Sequence, residues 1–303
     1  MIKVLLTDSL SQKAVELLTE IPEFEIVVKS GMNPEELKEE IKNYDAVVVN
    51  GATVLSREVI EGAQSLKIIV HAGIGWDNID REAAAERKIA LKDTPLATTI
   101  TVAEYTMAQM LAVSRNIGPA YSSMKAHKWE NNRFTGGIEL YGKTAGIIGM
   151  GRIGKELAIR ELAMGMKVLF YDIIDIHVDI DARQVPLDEL LRKSDFISIH
   201  LPLTDLTRNI ISTETFKKMK NGVVFVNVSS GGVVDETAML KALEKNKIRA
   251  LAVDVFEKEP TENVHLIDHP CVFPSPHLGA STVEAQERAG VEAISILKEF
   301  FNA

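Results

Sequence analysis

Residues 145–154 read AGIIGMGRIG, a short apolar strand followed at once by a glycine-rich turn and the start of a helix. In this spacing Gly149 permits the tight turn, Gly151 lets the backbone approach a pyrophosphate, and Gly154 lets helix and strand pack closely. The N-terminus of the helix would point its first amides at the phosphates. The stretch therefore predicts a βαβ unit that binds a dinucleotide.

An acidic residue follows at the distance that is typical of a dinucleotide-binding unit. Asp172 ends the next predicted strand, 18 positions after Gly154, where a carboxylate accepts hydrogen bonds from the adenosine ribose hydroxyls. The same carboxylate repels the 2′-phosphate of NADP, and residues 173–176 (Ile-Ile-Asp-Ile) contain no cation to accept it. A glycine triplet alone is a weak signal, but strand, turn, helix, strand and acid in this order predict NAD(H) as the cofactor.

Short apolar strands alternate with amphipathic helices along the whole chain. Strands that are apolar on both faces and separated by helices form parallel sheets covered on both sides, so the pattern predicts an α/β protein. We expect two doubly wound parallel-sheet domains, a flavodoxin-like one and a Rossmann-type one. The first series of strands is Lys3–Thr7, Glu25–Val28, Ala46–Val49, Ile68–Val70 and Ile89–Lys92, and the second series, of six, is Ala145–Ile148, Lys167–Tyr171, Phe196–His200, Val223–Asn227, Ala250–Val255 and Cys271–Phe273.

The composition fits this architecture and excludes several classes of protein. A length of 303 residues suffices for two domains, and 46% hydrophobic with 25% charged residues are ordinary globular values. The net charge of −9 argues against a nucleic acid or an anionic membrane as the partner, because phosphates would repel it. No apolar run approaches the ~20 residues of a membrane span, and the N-terminus has no signal-peptide pattern. Because the single Cys271 cannot form an internal disulfide, we expect a cytoplasmic protein.

A long apolar stretch separates the two series of strands. Residues 98–116 have the pattern of one helix, which we expect Gly118 and Pro119 to end, and an arm that contains Trp129 follows. Either this helix is buried in one domain, or helix and arm cross to a second subunit, since a helix apolar on nearly all sides needs more cover than one domain supplies. A second long helix, Val283–Phe301, follows the last strand and could return to the first domain.

A histidine and two carboxylates follow the last two strands of the second series. Asp254 ends the fifth strand, Glu259 lies in the turn after it, and His277 follows the sixth. The carboxyl ends of parallel strands form the ligand-binding edge of such a sheet. A histidine with a carboxylate partner can move a proton near neutral pH while a cofactor moves a hydride, since the carboxylate favours the charged imidazole. On spacing alone, the alternative stays open that His277 caps a loop and Glu259 is a solvated turn residue.

At these residues, and across nearly the whole chain, the sequence resembles the D-isomer-specific 2-hydroxyacid dehydrogenases, and among them the phosphoglycerate branch. The matching motifs are Ala72–Gly75, Val102–Glu104, Leu140–Thr144, Gly149–Gly154, Gly231–Glu236, Asp254–Phe256 and Pro276–Thr282. The resemblance implies an NAD-dependent oxidoreductase that interconverts 3-phosphoglycerate and 3-phosphohydroxypyruvate, a reaction of serine biosynthesis.

The resemblance also implies a domain layout and a homodimer. The substrate domain would consist of residues 1–97 and 284–303, and the NAD-binding domain of residues 98–283, with helix and arm at 98–141 forming the dimer contact. Long members carry a serine-sensing C-terminal domain. Because this sequence ends after the closing helix, we expect no such domain here.

The resemblance implies a role for each remaining site residue. The expected cofactor-binding residues are Gly149, Gly151, Arg152, Ile153, Gly154, Asp172, Leu201, Pro202, Val228, Ser229, Asp254, His277 and Gly279, with Asp254 at the nicotinamide end. The expected substrate-binding residues are Asn50, His71, Ala72, Gly73 and Ile74. His277 would be the catalytic acid/base, Glu259 its partner, and Ser230 occupies the position of a catalytic arginine. The histidines lack the spacing of a metal site, so we expect no metal.

The sequence departs from the family where it should hold an anionic substrate. The family arginine at the position of Ser230 grips the substrate carboxylate and polarises the carbonyl that is reduced. A serine hydroxyl lacks the planar five-donor fork that suits both tasks. Arginine is also usual in the phosphoglycerate branch at the positions of Asn50, His71 and Asn131, where it holds the substrate phosphate. The four replacements remove substrate-facing charge while the NAD signature stays whole.

Three functions fit this pattern. The first is a phosphoglycerate-type dehydrogenase that binds its anion differently, through Arg133, Lys128 or Arg208. The second is a dehydrogenase of another, less anionic 2-hydroxy or 2-keto acid, and the third is an NAD(H)-binding sensor or partner subunit with little or no turnover. The intact pair of His277 and Glu259 favours the two enzymes, because a sensor does not need it, whereas Ser230 favours the sensor.

Overall fold

The computed structural model describes residues 1–8, 10–76 and 78–302, which contain twelve strands and twelve α-helices in mostly alternating order. The strands are β1 Ile2–Leu6, β2 Phe24–Val28, β3 Ala46–Val49, β4 Ile68–His71, β5 Ala90–Asp93, β6 Thr144–Ile148, β7 Lys167–Tyr171, β8 Ala182–Gln184, β9 Phe196–Ile199, β10 Val223–Asn227, β11 Ile248–Val253 and β12 Val272–Pro274. The helices are α1 Gln12–Thr19, α2 Pro34–Glu40, α3 Arg57–Gly62, α4 Arg81–Glu86, α5 Thr99–Ser114, α6 Ile117–Lys125, α7 Arg152–Ala163, α8 Leu187–Lys193, α9 Thr213–Lys218, α10 Glu236–Glu244, α11 Val264–Ile267 and α12 Val283–Phe301.

The chain divides into two compact units. The first unit consists of Met1–Thr99 with Ala280–Ala303, and the second of Ile100–Gly279. The domain boundaries that the family resemblance implies, 97/98 and 283/284, stay a prediction, and these divisions lie two and four residues from them. Within the described ranges, no helix combines the length and the apolar character that crossing a membrane requires.

The first unit contains a five-stranded parallel sheet in the order β2-β1-β3-β4-β5. This is the flavodoxin-like order that the sequence predicts. Every residue of β3 and β4 is buried. Val48 packs into one apolar cluster, and Val47 and Val49 pack into another, because neighbouring side chains of a strand point to opposite faces of the sheet. Both faces are therefore covered, as in other parallel sheets.

The last helix completes the core of this first unit. The predicted helix at 283–301 is confirmed as α12, which buries Ala289 and Leu297 in the same cluster as Val4 of β1. Gly290 allows α12 to approach α1 closely, since a Cβ there would lie 2.3 Å from the Cβ of Ala14. The C-terminal helix and the first strand therefore share one hydrophobic core.

The second unit contains a seven-stranded parallel sheet in the order β12-β11-β10-β9-β6-β7-β8. Strands β6 to β11 have the Rossmann order, and β12 adds one further strand at the edge of the sheet next to β11. The predicted number of six strands is wrong, because the short edge strand Ala182–Gln184 was missed. Its three residues are exposed or half-buried and centre on Arg183, so they carry none of the apolar signal that identified the other strands.

The helix predicted at 98–116 is confirmed as α5, but the expectation that Gly118 and Pro119 end it is wrong, because a second helix, α6, begins at Ile117. Asn116, between α5 and α6, has a left-handed backbone conformation with a φ of 55°. Gly118 and Pro119 lie in the first turn of α6 and do not end a helix. Proline is tolerated there because the N–H that it lacks would have no partner within the helix.

A buried carboxyl lies in α7, the helix that begins at the glycine-rich turn. The Glu161 side chain is completely buried, and neither of its carboxyl oxygens has a hydrogen-bond partner among the described residues. Burial raises the pKa of Glu161 to about 8, since desolvation penalises the charged form. Most folded molecules therefore keep this carboxyl protonated at neutral pH, whereas an unfolded chain ionises it near the ordinary glutamate value of ~4.3.

We expect Glu161→Gln to stabilise the protein increasingly as the pH rises. Because the unfolded state loses this proton more readily than the folded state, wild-type stability should fall between about pH 4 and pH 8. The variant cannot titrate, so its advantage in unfolding free energy should exceed about 2 kcal/mol at pH 8 and shrink towards pH 5. Urea denaturation at three pH values measures the difference. The control is Glu156→Gln, which removes a half-buried carboxyl paired with Arg160 on the same helix, and an equal pH-dependent gain in both variants would contradict this account.

Candidate active site

The glycine-rich turn between β6 and α7 has the geometry that its spacing predicts. Gly149 has a positive φ of 99°, and a Cβ on it would lie 2.6 Å from the backbone oxygen of His200. A Cβ on Gly154 would lie 2.3 Å from the backbone oxygen of Gly149, so only glycine lets the helix pack this closely on the turn. Gly151, the N-cap of α7, faces open space. Arg152 and Ile153 begin the helix, whose N-terminus suits a pyrophosphate.

Asp172 follows β7 and is hydrogen-bonded to this turn. Its carboxylate accepts a hydrogen bond from the backbone N–H of Met150 at 2.9 Å. The next two residues, Ile173 and Ile174, are 77% and 62% exposed. Asp172 is therefore the acidic group beside the turn, in the position where this fold holds the ribose of a dinucleotide.

The strand order of the second sheet reverses between β6 and β9, and such a switch point is where ligands bind. Leu201 and Pro202 follow β9 there, and a Cβ on Gly149 would lie 2.9 Å from Leu201 Cδ2. The His200 ring is hydrogen-bonded to Ser198 Oγ at 3.1 Å. Burial lowers the pKa of His200 to about 3, so this imidazole stays neutral and cannot serve as the acid/base near neutral pH.

His277 and Glu259 come together at the carboxyl edge of β11 and β12. Nδ1 of His277 lies 2.7 Å from Oε2 of Glu259, and 53% of the histidine side chain is exposed. The backbone of His277 has a φ of 54°, and its N–H donates to the backbone oxygen of Asp254 at 2.9 Å. A solvent-accessible imidazole backed by a carboxylate is the arrangement that general acid–base catalysis requires.

The partners of Glu259 keep it ionised. Burial alone would raise the pKa of Glu259, but hydrogen bonds from His277 and from the Phe256 N–H at 3.0 Å outweigh it, and the pKa lies below its usual value. The pair therefore stabilises the folded protein at pH values above the ordinary pKa of glutamate. This stabilisation is lost as the pH falls through the lowered pKa of Glu259. At neutral pH the negative charge of Glu259 favours a protonated His277.

Ser230 lies in the turn after β10, the strand that pairs with β11. Asn227, at the end of β10, is 2% exposed and fixes the turn. Its side-chain oxygen accepts hydrogen bonds from the N–H and Oγ of Ser229, and its amide donates to the backbone oxygen of Ser230 at 3.4 Å. A Cβ on Gly231 would lie 1.7 Å from the backbone oxygen of Phe256. The turn with Ser230 therefore packs against the segment that leads from β11 to the His277 partner.

The predicted substrate-binding residues lie at the carboxyl edge of the sheet in the first unit. Asn50 follows β3, and its backbone N–H donates to the carboxylate of Asp8. His71 ends β4 and is 6% exposed. The residues that continue from it are Ala72, which is buried, and Gly73 and Ile74, of which the last is 48% exposed. Asn131, the fourth position without the family arginine, is exposed in a short 3-10 helix of the second unit.

Asp254 forms more hydrogen bonds than its position at the end of a strand indicates. It is 1% exposed, and its carboxylate accepts hydrogen bonds from Tyr105, Ser275, Leu278 and Gly279. Sequence reasoning missed Tyr105 and its neighbour Gln109, because both lie in a helix that was interpreted by its apolar residues. Their spacing of four positions puts two polar side chains on one face of α5, which is the signal that could have identified them.

The remaining predicted cofactor residues border the same edge of the second sheet. Val228 is 6% exposed directly after β10, and the N–H of Gly279 donates to Asp254 at 2.7 Å.

In the part of the chain that the structure describes, no group of three or more His, Cys, Asp or Glu side chains could hold a metal ion.

One family model and several known proteins are similar to this chain. Residues 107–279 match the sequence model of the "D-isomer specific 2-hydroxyacid dehydrogenase, NAD binding domain". The chain is similar to a D-3-phosphoglycerate dehydrogenase of Methanocaldococcus jannaschii, with 45% identity over 99% of this chain and 57% of the relative. It therefore spans little more than half the length of that protein.

Two further proteins are similar along nearly their whole length. A hydroxypyruvate reductase of Thermotoga maritima is 44% identical over 98% of both chains. The crystal structure of a glyoxylate reductase from Paecilomyes thermophila matches with 31% identity and a TM-score of 0.86, over 98% of this chain and 94% of that one.

Proposed function

The chain belongs to the D-isomer specific 2-hydroxyacid dehydrogenases, a family of NAD-dependent oxidoreductases, and we propose that it transfers a hydride between NAD and C2 of a small 2-hydroxy or 2-keto acid. The observation that carries the proposal is the 2.7 Å contact between His277 and an ionised Glu259. This pair lies at the carboxyl edge of the same sheet as the NAD-binding turn, where the folds of this class bind their ligands.

Each residue of the pair has one task in the proposed reaction. When bound, NADH supplies the hydride that reduces C2 of the keto acid. His277 donates a proton to the carbonyl oxygen, which becomes the hydroxyl of the product, and the reverse reaction returns the proton to the imidazole. Nδ1 is held by Glu259, so we assign the transfer to Nε2. Glu259 stays ionised, orients the ring and stabilises the imidazolium.

For the substrate, we propose a 3-phosphoglycerate-type acid, with a role in serine biosynthesis, because a similar protein is named D-3-phosphoglycerate dehydrogenase. Asn50, His71, Ala72, Gly73 and Ile74 are its proposed contacts. Without the family arginines, the anion would be held by other cations such as Lys128, Arg133 or Arg208. Arg133 is already paired with Glu130 at 3.2 Å, which makes it a weaker candidate than the other two.

Two alternatives each have an observation in their favour. Uncharged side chains at Asn50 and Asn131 suit a 2-keto acid without a phosphate, such as the hydroxypyruvate named for a similar protein. Ser230, at the position of the catalytic arginine, suits an NAD(H)-binding sensor or partner subunit with little turnover.

We also propose a homodimer that forms through α5, α6 and the following arm, where Trp129 and Tyr141 are 82% and 77% exposed.

A panel of 2-keto acids tests the proposed function. We would measure NADH oxidation with 3-phosphohydroxypyruvate, hydroxypyruvate, glyoxylate and pyruvate. Turnover of about 1 s⁻¹ or faster with one of them lies in the ordinary range of enzymes and would exclude the sensor. NADH binding with no turnover of any of the acids would contradict the proposal and favour the sensor.

We expect Asp172→Ala to weaken NADH binding and to reduce the preference for NADH over NADPH. Hydrogen bonds to a charged group contribute about 1.5–3 kcal/mol, so the Kd for NADH should rise about tenfold to a hundredfold. The Kd for NADPH should rise less, because the repulsion between the carboxylate and the 2′-phosphate disappears. Isothermal titration with both cofactors measures the change. Asp175→Ala, an exposed carboxyl three residues further on, is the control, and equal effects in both variants would contradict the assignment.

A further inference from the structure

Four polar side chains of the second unit form a closed ring of hydrogen bonds beside the loop that carries His277. The Gln109 amide nitrogen donates to the hydroxyls of Tyr105, at 2.9 Å, and Ser275, at 3.3 Å. Both hydroxyls donate in turn to Oδ1 of Asp254, at 3.3 and 2.6 Å. The ring joins helix α5 to the ends of β11 and β12.

The chemistry of Gln109 and Asp254 fixes the direction of every hydrogen bond in this ring. An amide NH2 group only donates, and an ionised carboxylate only accepts. Each of the two hydroxyls must therefore receive a hydrogen bond from Gln109 and give its own proton to Asp254. Because Asp254 is 1% exposed, its carboxylate depends on such donors in place of water.

The same aspartate holds the backbone around His277. Oδ1 of Asp254 accepts the N–H of Leu278 at 2.9 Å, and Oδ2 accepts that of Gly279 at 2.7 Å. The His277 N–H donates to the backbone oxygen of Asp254 at 2.9 Å. Three successive N–H groups thus bind to one residue, which holds His277 at a φ of 54° that residues other than glycine seldom adopt.

The Tyr105 side chain contacts the loop in two ways. Its hydroxyl reaches Asp254, and its ring lies near Gly279, where a Cβ would be 3.8 Å from Tyr105 Cδ1 and 3.1 Å from Asp254 Oδ2. A larger residue than glycine would therefore crowd the Asp254 carboxylate while remaining in ordinary van der Waals contact with the Tyr105 ring. The aromatic ring supports the loop by packing, while the hydroxyl acts on it through the carboxylate.

We infer that Tyr105 is a positioning residue for the acid/base: through Asp254 it fixes the backbone of residues 277–279 and so the orientation of the His277 imidazole. The inference rests on the proposed function of His277. Tyr105→Phe keeps the ring and removes only the hydroxyl, so it separates positioning from packing. A second variant, Ser275→Ala, removes the other hydroxyl that donates to Asp254 and should act in the same direction.

The matched control is Tyr44→Phe in the first unit. Tyr44 is 5% exposed, and its hydroxyl donates to the carboxylate of Glu40, so this variant also loses a buried hydrogen bond between tyrosine and a carboxylate. For each variant we would measure the amide hydrogen exchange of Leu278 and Gly279 by NMR, together with kcat and KM for the best 2-keto acid.

We expect Tyr105→Phe to speed the exchange of both amides about tenfold and to lower kcat about fivefold to tenfold, as expected for the loss of one buried hydrogen bond. KM should stay within about twofold, because a displaced imidazole weakens the transition state more than substrate binding. Tyr44→Phe should leave exchange at Leu278 and Gly279, and also kcat, unchanged.

Several results would overturn the inference. One is that Tyr105→Phe has the same amide exchange at Leu278 and Gly279 and the same kcat as Tyr44→Phe. Another is that Tyr105→Phe exchanges these amides faster but keeps the wild-type kcat. The proposed function fails separately, if His277→Gln retains full activity. Should the wild type turn over none of the acids, the exchange of Leu278 and Gly279 alone decides whether Tyr105 fixes the loop.

Discussion

Replacing His277 with glutamine should lower kcat for the best 2-keto acid by about 10²–10⁴-fold, the usual contribution of general acid–base catalysis. Glutamine can still form a hydrogen bond with Glu259, but its amide cannot donate a proton to the developing alkoxide. KM should change much less than kcat, because the proton is transferred only on the way to the transition state. Steady-state NADH oxidation at saturating cofactor measures both constants.

Two comparison variants make this result specific. His265→Gln removes an exposed histidine of α11 in the same unit and should leave kcat unchanged. Glu259→Gln keeps the imidazole but removes the charge that favours its protonated form, so reduction should be impaired more at high pH than at low pH. An unimpaired His277→Gln enzyme would show that another group moves the proton.

Ser230→Arg should raise kcat/KM for a 2-keto acid by about 10²–10³-fold, the range in which one electrostatic stabiliser of a transition state acts. The guanidinium would hold the substrate carboxylate with a planar fork and polarise the carbonyl. The turn should tolerate the change, because the hydrogen bond from Asn227 to residue 230 uses its backbone oxygen.

Ser230→Lys is the matched control for this gain. Lysine restores the positive charge without the planar five-donor fork, so it should recover much less activity than arginine. Equal gains in both variants would show that charge alone was missing. No gain with arginine would contradict the interpretation that Ser230 occupies a substrate-gripping position.

The fold could be predicted nearly strand by strand, because buried parallel strands are continuous apolar runs. β3 and β4 are buried along their whole length and were identified within one residue. The edge strand β8 escaped because its residues are exposed or half-buried around Arg183. The helix α6 was missed because Gly118 and Pro119, which were interpreted as the end of a helix, lie in its first turn.

The site could be predicted only where its residues are close in sequence or form a local motif. The turn with Gly149 needs a fixed spacing, and that spacing is visible in the chain. The hydrogen bond between Tyr105 and Asp254 joins positions 149 residues apart. Such a pair can be identified only when the structure shows where α5 packs. The burial of Glu161 escaped for a different reason: the residue lies seven positions after Gly154, on the buried face of α7, but its type indicates exposure.

The transfer of deuterium from NADH labelled at C4 tests the central claim most directly. The protein would be incubated with the labelled cofactor and each of 3-phosphohydroxypyruvate, hydroxypyruvate and pyruvate, and the products would be separated by chirality and weighed by mass spectrometry. We predict a D-2-hydroxy acid with one deuterium at C2 from at least one of them, formed more slowly by His277→Gln. Labelled NADH that binds but transfers no deuterium to any acid, in the wild type and in Ser230→Arg alike, would contradict the claim that this chain is a dehydrogenase.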